Sequence, residues 1–511
     1  MNNIVQEKIE IEKSVRPSLA GLLMWVIPAS AGAFLLLFRL ADVAGLHRDE
    51  ATFGLFAEMI QNGFRPLRGY FNFYTSPVHS YIIALFFSLF GESIWSLRAS
   101  GVLFNLVAVW AYIDVLRRIS PREALWTLWF LVTLPAFIVM SRIAGENYAM
   151  NPLFLFGGIW CFYVLGLKGQ SKWVNRAGYF LTGFSFFLGC WNHIVFAPAA
   201  LTVVIVYLIA SRIKITKISV VLLWFAAGAI IGAIPKLYGA AFLGYPLFPA
   251  TGRTTHCDFR EAFLNMVYTL GGDALYIRAC GKILFSVNWF LPLCVLGLAG
   301  VVFRRDVPPQ KRKIWIAAAA CAILSFLGTL AITPNGLVGS RIWLLPLWFV
   351  PLLLASALST CPKMIRVGLG TAIIITNIAA ISVNYFYNFL QDKGTPLASV
   401  YVGGRYDNSW DFIDLRPLVN KLADYNNKPI YIEDFNADRL KFLLPADCRT
   451  RAKIIEDLVN NDNAEPGSII AFYNIKSRIF PPKIDIGRAA GMKKEELCTL
   501  HYVVFEIAGV K

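Results

Sequence analysis

Apolar runs of membrane-spanning length recur along most of this chain and constrain its fold more than any other feature. A helix needs roughly 17 to 25 apolar residues to cross about 30 Å of hydrocarbon. Composition agrees, because 57% of the residues are hydrophobic and only 16% are charged. The sequence therefore predicts a polytopic α-helical membrane protein, with the lipid bilayer as its solvent. About eleven runs approach the required length, at residues 19–40, 97–116, 124–140, 150–167, 178–192, 194–210, 218–235, 284–303, 314–332, 341–358 and 367–386.

The basic residues indicate which loops face the cytoplasm. The formal charge is +16, and Lys and Arg cluster in the short segments between alternate runs, beginning with Arg117, Arg118 and Arg122. Cytoplasmic loops of membrane proteins are enriched in these residues. The pattern predicts a cytoplasmic amino terminus and, with an odd number of spans, an outer location for residues 387–511. Clusters of this kind act as topology determinants, and they argue against nucleic-acid binding.

Two predicted outer loops are long. The first, residues 41–96, contains an amphipathic helix beginning near Ala51. It also contains the thirteen-residue apolar run VHSYIIALFFSLF, which is too short to cross the bilayer. Both segments predict helices that lie on the membrane surface. The second loop, residues 236–283, carries GYPLFPATGR, a candidate mobile cover over a bound substrate.

The composition changes at about residue 387. The segments KPIYIEDF, SIIAFYNI and LHYVVFEI have the pattern of strands, whereas RPLVNKLADYN and TRAKIIEDLVNND have that of helices. A segment of roughly 125 residues is long enough for a small domain. We therefore expect a transmembrane domain at residues 1–386, followed by a small extracytoplasmic α/β domain at residues 387–511.

Charged residues at three predicted outer helix ends form the candidate site. Asp49 and Glu50 follow the first run in LHRDEATFGLF, Arg142 and Glu146 lie in SRIAGENYAM, and Arg341 opens the run GSRIWLLPLWFVP. One interpretation of the acidic pair is local, because an acid at a helix amino terminus interacts favourably with the helix dipole. Charges at several helix ends on one side instead indicate a shared polar cavity, since such residues are costly in lipid.

These segments resemble the GT-C glycosyltransferases, in the branch of the protein O-mannosyltransferases and the lipid A aminoarabinose transferases. That branch has a first span, an Asp-Glu pair on a surface helix, a Pro-containing segment ending in Leu-Phe-Gly, and an Arg leading the next span. Here these are Asp49 and Glu50, Pro77, SLFG and Arg98. SRIAGENYAMNPLF is similar to the family's second acidic turn, and GSRIWLLPLWFVP to its late Arg-x-x-x-x-Pro segment. The resemblance covers residues 20–360.

The resemblance implies a membrane enzyme that transfers a sugar from a polyprenyl-phosphate donor to an acceptor hydroxyl on the outer face, by single displacement with inversion. It implies Asp49 as general base, Glu50 as a residue that holds the local geometry or contacts the acceptor, and Glu146 as a contact of the sugar or acceptor. Arg341 would bind the phosphate. Relatives with similarly short chains commonly modify envelope glycolipids in bacteria. The resemblance therefore implies a cell-envelope glycolipid or polysaccharide as acceptor, in preference to a protein hydroxyl, and a bacterial inner membrane as the location.

Several residues keep two interpretations. Arg142 either pairs with Glu146 across one helical turn or binds the phosphate. Tyr70 and Tyr74 either stack on the sugar or belong to an aromatic belt at the membrane interface. For Arg98 we favour an interfacial role in which its charged end reaches the membrane surface.

One position departs from the family pattern. Aminoarabinose-type relatives often have Lys directly before the proline, whereas this chain has Ser76. One expected phosphate contact is therefore missing, and Lys236, Arg253 and Arg260 in the second long loop are candidates to replace it.

No cofactor is indicated by the sequence. His193 and His256 lack a convincing set of neighbouring ligands, and the nine cysteines form no CxxC pair. A divalent metal, which some GT-C branches use, has no support in these spacings, so no metal ligand is assigned.

Other functions also fit a polytopic chain with charged helix ends. A transporter or flippase of lipid-linked glycans would show repeated halves with matching helix interruptions, and we find no repeat. A ligase or polymerase that moves whole lipid-linked glycans is chemically closer to the predicted reaction and remains an alternative. A non-catalytic assembly protein would need neither Asp49 nor Glu146.

Overall fold

The structure is a computed structural model whose described residues fall into sixteen ranges. The predicted run at 284–303 lies almost wholly outside them, and so does most of the predicted loop 236–283. The described ranges are 19–43, 45–69, 75–144, 149–169, 171–211, 215–246, 277–279, 282–285, 309–332, 344–387, 414–425, 427–432, 434–454, 468–473, 492–496 and 502–507.

Helices dominate the described residues before 388. They are α1 (Leu19–Leu37), α2 (Arg48–Gln61), α3 (Val78–Phe90), α4 (Ile94–Ile119), α5 (Pro121–Thr133), α6 (Pro135–Arg142), α7 (Asn151–Trp160), α8 (Lys172–Asn192), α9 (Phe196–Ser211), α10 (Ile215–Phe242), α11 (Pro309–Ile332), α12 (Leu344–Leu347), α13 (Val350–Ser359) and α14 (Lys363–Ala380). Two continue as π-helical segments, α7 through Cys161–Leu167 and α14 through Ile381–Tyr387. A short hairpin pairs β1 (Ile277–Ala279) with β2 (Lys282–Phe285).

Four of the described helices are long and apolar enough to cross a bilayer: Ile94–Ile119, Ser219–Phe242, Trp315–Ile332 and Lys363–Ala380. Helices α5 and α6 would form a fifth span bent by 60°. The bend lies at Pro135, because proline has no N–H to donate and forces the preceding Leu134 into an extended conformation. These helices confirm a polytopic helical membrane protein, while the number of eleven stays a prediction.

The helices pack around one large apolar core. Trp348 is fully buried at its centre, where its ring stacks on Phe156 at 4.8 Å and meets the edge of Phe137 at 5.4 Å. Small residues bring two long helices into backbone contact. A Cβ atom at Gly183 of α8 would overlap the Phe225 carbonyl of α10, so glycine allows the backbones of α8 and α10 to approach closely.

The segment between α1 and α4 folds into two short helices. The apolar run VHSYIIALFFSLF forms α3, and α3 packs along α2 through a shared cluster that includes Phe53, Phe56, Ile83 and Phe87. The acidic pair Asp49 and Glu50 lies in the first turn of α2. Packing against α3 therefore fixes one side of the helix that carries both acids.

The described residues from 414 onward, here called the carboxyl-terminal unit, contain a five-stranded sheet of order β4-β3-β5-β7-β6. Strand β3 runs parallel to β4 and β5, and β7 is antiparallel to β5 and β6. The elements are α15 (Arg416–Ala423), β3 (Ile430–Ile432), α16 (Asp434–Leu443), α17 (Ala446–Arg449), β4 (Ala452–Ile454), β5 (Ile469–Tyr473), β6 (Met492–Glu496) and β7 (Tyr502–Ile507). A separate core of buried side chains, including Leu418, Leu422 and Ile430, holds them together.

One sequence prediction fails in this unit. The segment TRAKIIEDLVNND was predicted to be a helix, but Ala452–Ile454 within it is the strand β4. Its three residues pair in parallel with β3, so the neighbouring strand supplies the hydrogen bonds that a helix would have made internally.

Candidate active site

The candidate site begins where the chain leaves α1 and starts α2. His47 is the N-cap of α2, and its Nδ1 atom accepts a hydrogen bond from the Asp49 N–H at 3.1 Å. The same Nδ1 lies 3.5 Å from an Asp49 carboxylate oxygen. A nitrogen that accepts from an amide carries no proton, so we interpret this contact as proximity rather than as an ion pair.

Glu50 is the anchor of the site. Its side chain is fully buried, and its two carboxylate oxygens accept four hydrogen bonds. Arg98 donates through Nε at 2.9 Å and Nη2 at 2.8 Å, His47 N donates at 3.0 Å, and Ala144 N donates at 2.9 Å. One carboxylate thus joins α2, α4 and the chain just after α6.

This environment favours an ionised Glu50. Burial by itself would raise the pKa of Glu50, because a carboxylate loses hydration in the protein interior. The Arg98 guanidinium and the two backbone N–H groups outweigh that effect and hold the pKa of Glu50 below its ordinary value. Of the two roles left open for Glu50, the geometry supports holding the local structure, since both oxygens face inward and are occupied.

Arg98 corrects our sequence interpretation. We favoured an interfacial arginine with an exposed charge, but its side chain is 1% exposed and forms a two-pronged pair with Glu50. Its remaining N–H groups reach the carbonyls of Leu40, Val43 and Gly45 at 2.9 to 3.3 Å. All five guanidinium donors are used, which is how a buried arginine offsets its lost hydration.

Arg142 requires a similar correction. Its guanidinium is fully buried and donates to Tyr385 Oη at 3.3 Å and to four carbonyl oxygens at 2.9 to 3.2 Å. Those carbonyls belong to Leu35, Leu36, Arg39 and Val43, at the end of α1 and in the turn that follows. A cation is favourable at a helix carboxyl end, where carbonyls lack helical partners. No donor is left for a phosphate, so we withdraw substrate binding by Arg142.

Asp49 differs from its neighbour in environment. Its side chain keeps 16% exposure while Glu50 has none. It lies in the first turn of α2, held by the His47 cap on one side and by the Glu50 pair on the other. A partly exposed carboxylate on a rigidly held helix end can receive a proton from a substrate that reaches it.

Ser76 occupies the position where relatives often have Lys. Its backbone N–H donates to Asn192 O at 3.1 Å, and its hydroxyl donates to Asn192 Oδ1 at 3.2 Å. The Asn192 side chain in turn donates to Asn151 Oδ1 at 3.0 Å, and all three residues are buried. Ser76 therefore joins α3 to α7 and α8. His193, the residue after Asn192, forms an isolated antiparallel β-bridge with Thr75, the residue before Ser76.

Several predicted site residues lie outside the described ranges: Glu146, Arg341, Tyr70, Tyr74, Arg253, Arg260 and His256. Ala144, two positions before Glu146 in the sequence, is hydrogen-bonded to Glu50. Lys236 lies half-buried in α10. Among the described residues, no three His, Cys, Asp or Glu side chains are grouped to hold a metal ion.

An apolar cavity of about 340 Å³ lies deeper among the helices. Helices α4, α7, α8, α9, α10, α11 and α13 line it, with contributions that include Tyr112, Phe156, Val203, Cys321 and Leu352. Tyr112 follows Arg98 by four turns of α4, which corresponds to about 21 Å along the helix axis. The cavity has the apolar lining that a hydrocarbon chain requires.

The family model described as "Dolichyl-phosphate-mannose-protein mannosyltransferase" matches residues 74–259, a segment that begins after Asp49 and Glu50. No curated protein sequence matches the chain significantly.

Two solved structures of ArnT from Cupriavidus metallidurans share the fold over nearly the whole length of both chains. The apo structure is 16% identical, with a TM-score of 0.60 over 95% of this chain and 99% of ArnT. The structure of ArnT bound to undecaprenyl phosphate is also 16% identical, with a TM-score of 0.55 over 96% of this chain and 100% of ArnT. The chain is therefore a membrane protein with the GT-C glycosyltransferase fold, and it resembles the protein O-mannosyltransferase and aminoarabinose transferase branch.

Proposed function

We propose that this protein is a membrane glycosyltransferase that moves a sugar from a polyprenyl-phosphate donor to an acceptor hydroxyl. The observation that carries the proposal is the unequal environment of the two adjacent acids. Four donors occupy the buried Glu50, whereas Asp49 on the same helical turn remains partly exposed. One acid thus serves as a structural anchor, and the other is exposed enough for a substrate to reach it.

In the proposed reaction, the acceptor hydroxyl attacks the anomeric carbon while the bond from that carbon to the phosphate oxygen breaks. Asp49 takes the hydroxyl proton as the new bond forms, because a neutral alcohol is a weak nucleophile. The electron pair of the broken bond leaves with the polyprenyl phosphate. A single displacement of this kind inverts the anomeric configuration, and its rate depends on alignment of the two groups.

The leaving phosphate needs cations near the start of α2, where Asp49 lies. Arg341 is the first candidate by its motif, and Lys236, Arg253 and Arg260 are further candidates, since Arg142 and Arg98 are committed to other contacts. The prenyl chain requires an apolar lining, which the cavity beside Tyr112 offers. Glu146, two residues after the Glu50 contact at Ala144, is proposed to contact the sugar or acceptor, with Tyr70 and Tyr74 as candidate walls.

We place the reaction on the extracytoplasmic face, with eleven spans, a cytoplasmic amino terminus and residues 387–511 on the outer side as a small α/β domain. The support is the distribution of basic residues, whose clusters alternate with the loops that carry the acids. The acceptor we propose is a cell-envelope glycolipid or polysaccharide in a bacterial inner membrane. That preference rests on the resemblance of the chain to the aminoarabinose transferase branch.

The test is sugar transfer by purified protein from a panel of polyprenyl-phosphate sugars to envelope extract, comparing wild type with Asp49→Asn. We expect Asp49→Asn to lower kcat by about 100-fold or more, because the general base is lost. The control is Asp447→Asn, which removes a carboxylate from the first turn of a helix in the carboxyl-terminal unit. Normal transfer by a folded Asp49→Asn protein would contradict the assignment of the base.

A further inference from the structure

The carboxyl-terminal unit contacts the acidic helix α2 directly. Helix α16 lies across α2, and Arg439 on α16 is 1% exposed. Its Nε donates to the Leu46 carbonyl at 2.7 Å. Leu46 directly precedes the N-cap His47 and lies three residues before Asp49. A buried arginine from a distant part of the chain therefore holds the backbone that enters the acidic turn.

Two further contacts join α16 to α2. Thr52 donates to the Asp438 carboxylate at 2.8 Å. Phe442 packs against Gly54 and near Phe87, with ring centroids 6.1 Å apart. A Cβ atom at position 54 would overlap the Phe442 ring. The backbone φ of Gly54 does not lie in the left-handed region, so conformation does not explain glycine at this position. The close approach of the Phe442 ring explains it instead.

Ion pairs flank the contact between α2 and α16 at two places. Arg449 binds both carboxylate oxygens of Glu58 at 2.7 Å and Glu92 at 2.5 Å, beyond the end of α16. On the opposite side, Arg416 binds Asp42 at 2.8 Å, in the turn after α1. The contact therefore covers α2 from the segment before its first residue to its last turn.

The start of α2 is held from two directions. Arg98 and Ala144 hold Glu50 from the helical core, and Arg439 holds Leu46 from the carboxyl-terminal unit. Asp49 lies between these two attachment points, Leu46 and Glu50, in the sequence. A displacement of about 1 Å in a reacting group can lower a rate by about 100-fold, so an attachment of this kind affects catalysis without contacting the substrate.

We propose that α16 is a positioning element for Asp49, with Arg439 as the positioning residue and the Phe442–Gly54 contact as its steric stop. The proposal rests on the function proposed above for Asp49. It assigns the carboxyl-terminal unit a role in the reaction itself, in addition to any role in choosing the acceptor.

The first test compares Arg439→Met with Arg451→Met. Arg451 donates to the carbonyls of Tyr425 and Lys428, so it makes the same kind of contact entirely within the carboxyl-terminal unit. We expect Arg439→Met to lower kcat by about 10- to 100-fold with an unchanged KM for the donor, and Arg451→Met to retain transfer. Arg439→Lys should recover part of the loss, because lysine can still donate to Leu46.

Hydrogen–deuterium exchange of residues 45–61 supplies a readout that does not depend on activity. Faster exchange is expected in Arg439→Met and not in Arg451→Met, since only the first variant releases the start of α2. Unchanged exchange in Arg439→Met, or faster exchange with undiminished transfer, would overturn the positioning role. Absence of transfer by the wild-type protein would overturn the proposed function, and the positioning role with it. Transfer by the wild-type protein together with full transfer by Arg439→Met would overturn only the positioning role.

A compensating pair tests the steric stop. Gly54→Ala should lower kcat because the added methyl displaces Phe442, and Phe442→Leu in the same chain should restore at least part of the transfer by making room. If Phe442→Leu gives no recovery, the sensitivity of position 54 does not arise from α16 and the steric stop is refuted.

Discussion

At the scale of residues, the site depends on two buried arginines whose donors are all occupied. Arg98 divides its five N–H groups between Glu50 and three carbonyls, and Arg142 divides its own between Tyr385 and four carbonyls. Both reach Val43. Together they fix the turn between α1 and α2, so the position of Asp49 is determined by side chains that are not expected to contact substrate.

Glu50→Gln should destabilise the protein strongly, because it leaves the Arg98 charge buried without its counter-ion. Breaking a buried pair in this way costs about 3–5 kcal/mol. The measurement is the thermal unfolding midpoint of detergent-purified protein. The double variant Glu50→Gln with Arg98→Met should be no less stable than Glu50→Gln alone, since both charges are then gone. Fully additive losses would contradict the pairing.

Arg142→Lys should also lower the unfolding midpoint, by the equivalent of about 1–3 kcal/mol. Lysine keeps the charge but presents only three donors from one atom, so most of the capped carbonyls lose their partners. Arg117→Lys is the matched control, because the Arg117 side chain is 54% exposed and pairs at the surface with Asp114. Equal shifts in the two variants would argue against the capping role.

At the scale of elements, α2 is the helix that contacts α3, the helical core and the carboxyl-terminal unit. Helix α3 packs on one face, the helical core holds Glu50, and α16 covers a third side. Hydropathy predicted α2 and α3 as helices on the membrane surface, because their apolar runs are amphipathic or short. The partner α16 was not predicted, since DFNADRLKFL has no strong apolar period of its own.

The contact between α2 and α17 should depend on pH. Burial, together with the nearby Glu92 carboxyl, raises the pKa of Glu58 from its ordinary 4.5 to about 7, although Arg449 opposes the shift. Burial acts on Glu92 too, but a hydrogen bond from Glu58 and the charge of Arg449 hold the pKa of Glu92 below its ordinary value. Below about pH 7 the shifts favour a protonated Glu58 that donates a hydrogen bond to the Glu92 carboxylate, whereas above it Glu58 is ionised beside Arg449.

The directions of these two pKa shifts determine how the stability of the folded protein changes with pH. A carboxyl with a raised pKa stabilises the folded contact below its ordinary pKa and loses that contribution as the pH rises through about 7. The Glu92 contribution has the opposite sign and is lost only in acid. We expect a higher unfolding midpoint at about pH 6 than at about pH 8, and a smaller difference in Glu58→Gln. An equal midpoint at both pH values in wild type would contradict this arrangement.

At the scale of the whole molecule, apolar side chains remain exposed on the outer surfaces of α1, α4, α10 and α14, as expected where lipid replaces water. Helix α4 has 26 residues and so extends about 39 Å, enough to cross the hydrocarbon. Arg117 and Arg118 lie at one end, and Arg98 with the acidic helix lies at the other. A bilayer crossed by α4 would therefore separate the acids from the basic cluster.

Cysteine labelling tests which end of α4 lies on the outer face of the membrane and which lies on the cytoplasmic face. In a variant without the native cysteines, Asn62→Cys near the end of α2 should react with a membrane-impermeant maleimide in intact cells. Arg122→Cys in the first turn of α5 should react only after the membrane is opened. Both positions are exposed. The reverse pattern would place Asp49 in the cytoplasm and refute an extracytoplasmic reaction.

The sequence by itself determined the helical membrane architecture, the helical state of α2 and α3, and the candidate acids, because bilayer thickness and local periodicity act on contiguous residues. Only the tertiary structure decided what Arg98 and Arg142 bind, that β4 is a strand, and that α16 covers α2. Glu50 and Arg98 are 48 positions apart, and Leu46 and Arg439 are 393 apart. Hydrogen bonds over such separations depend on how the helices and the sheet pack, which no local pattern of residues encodes.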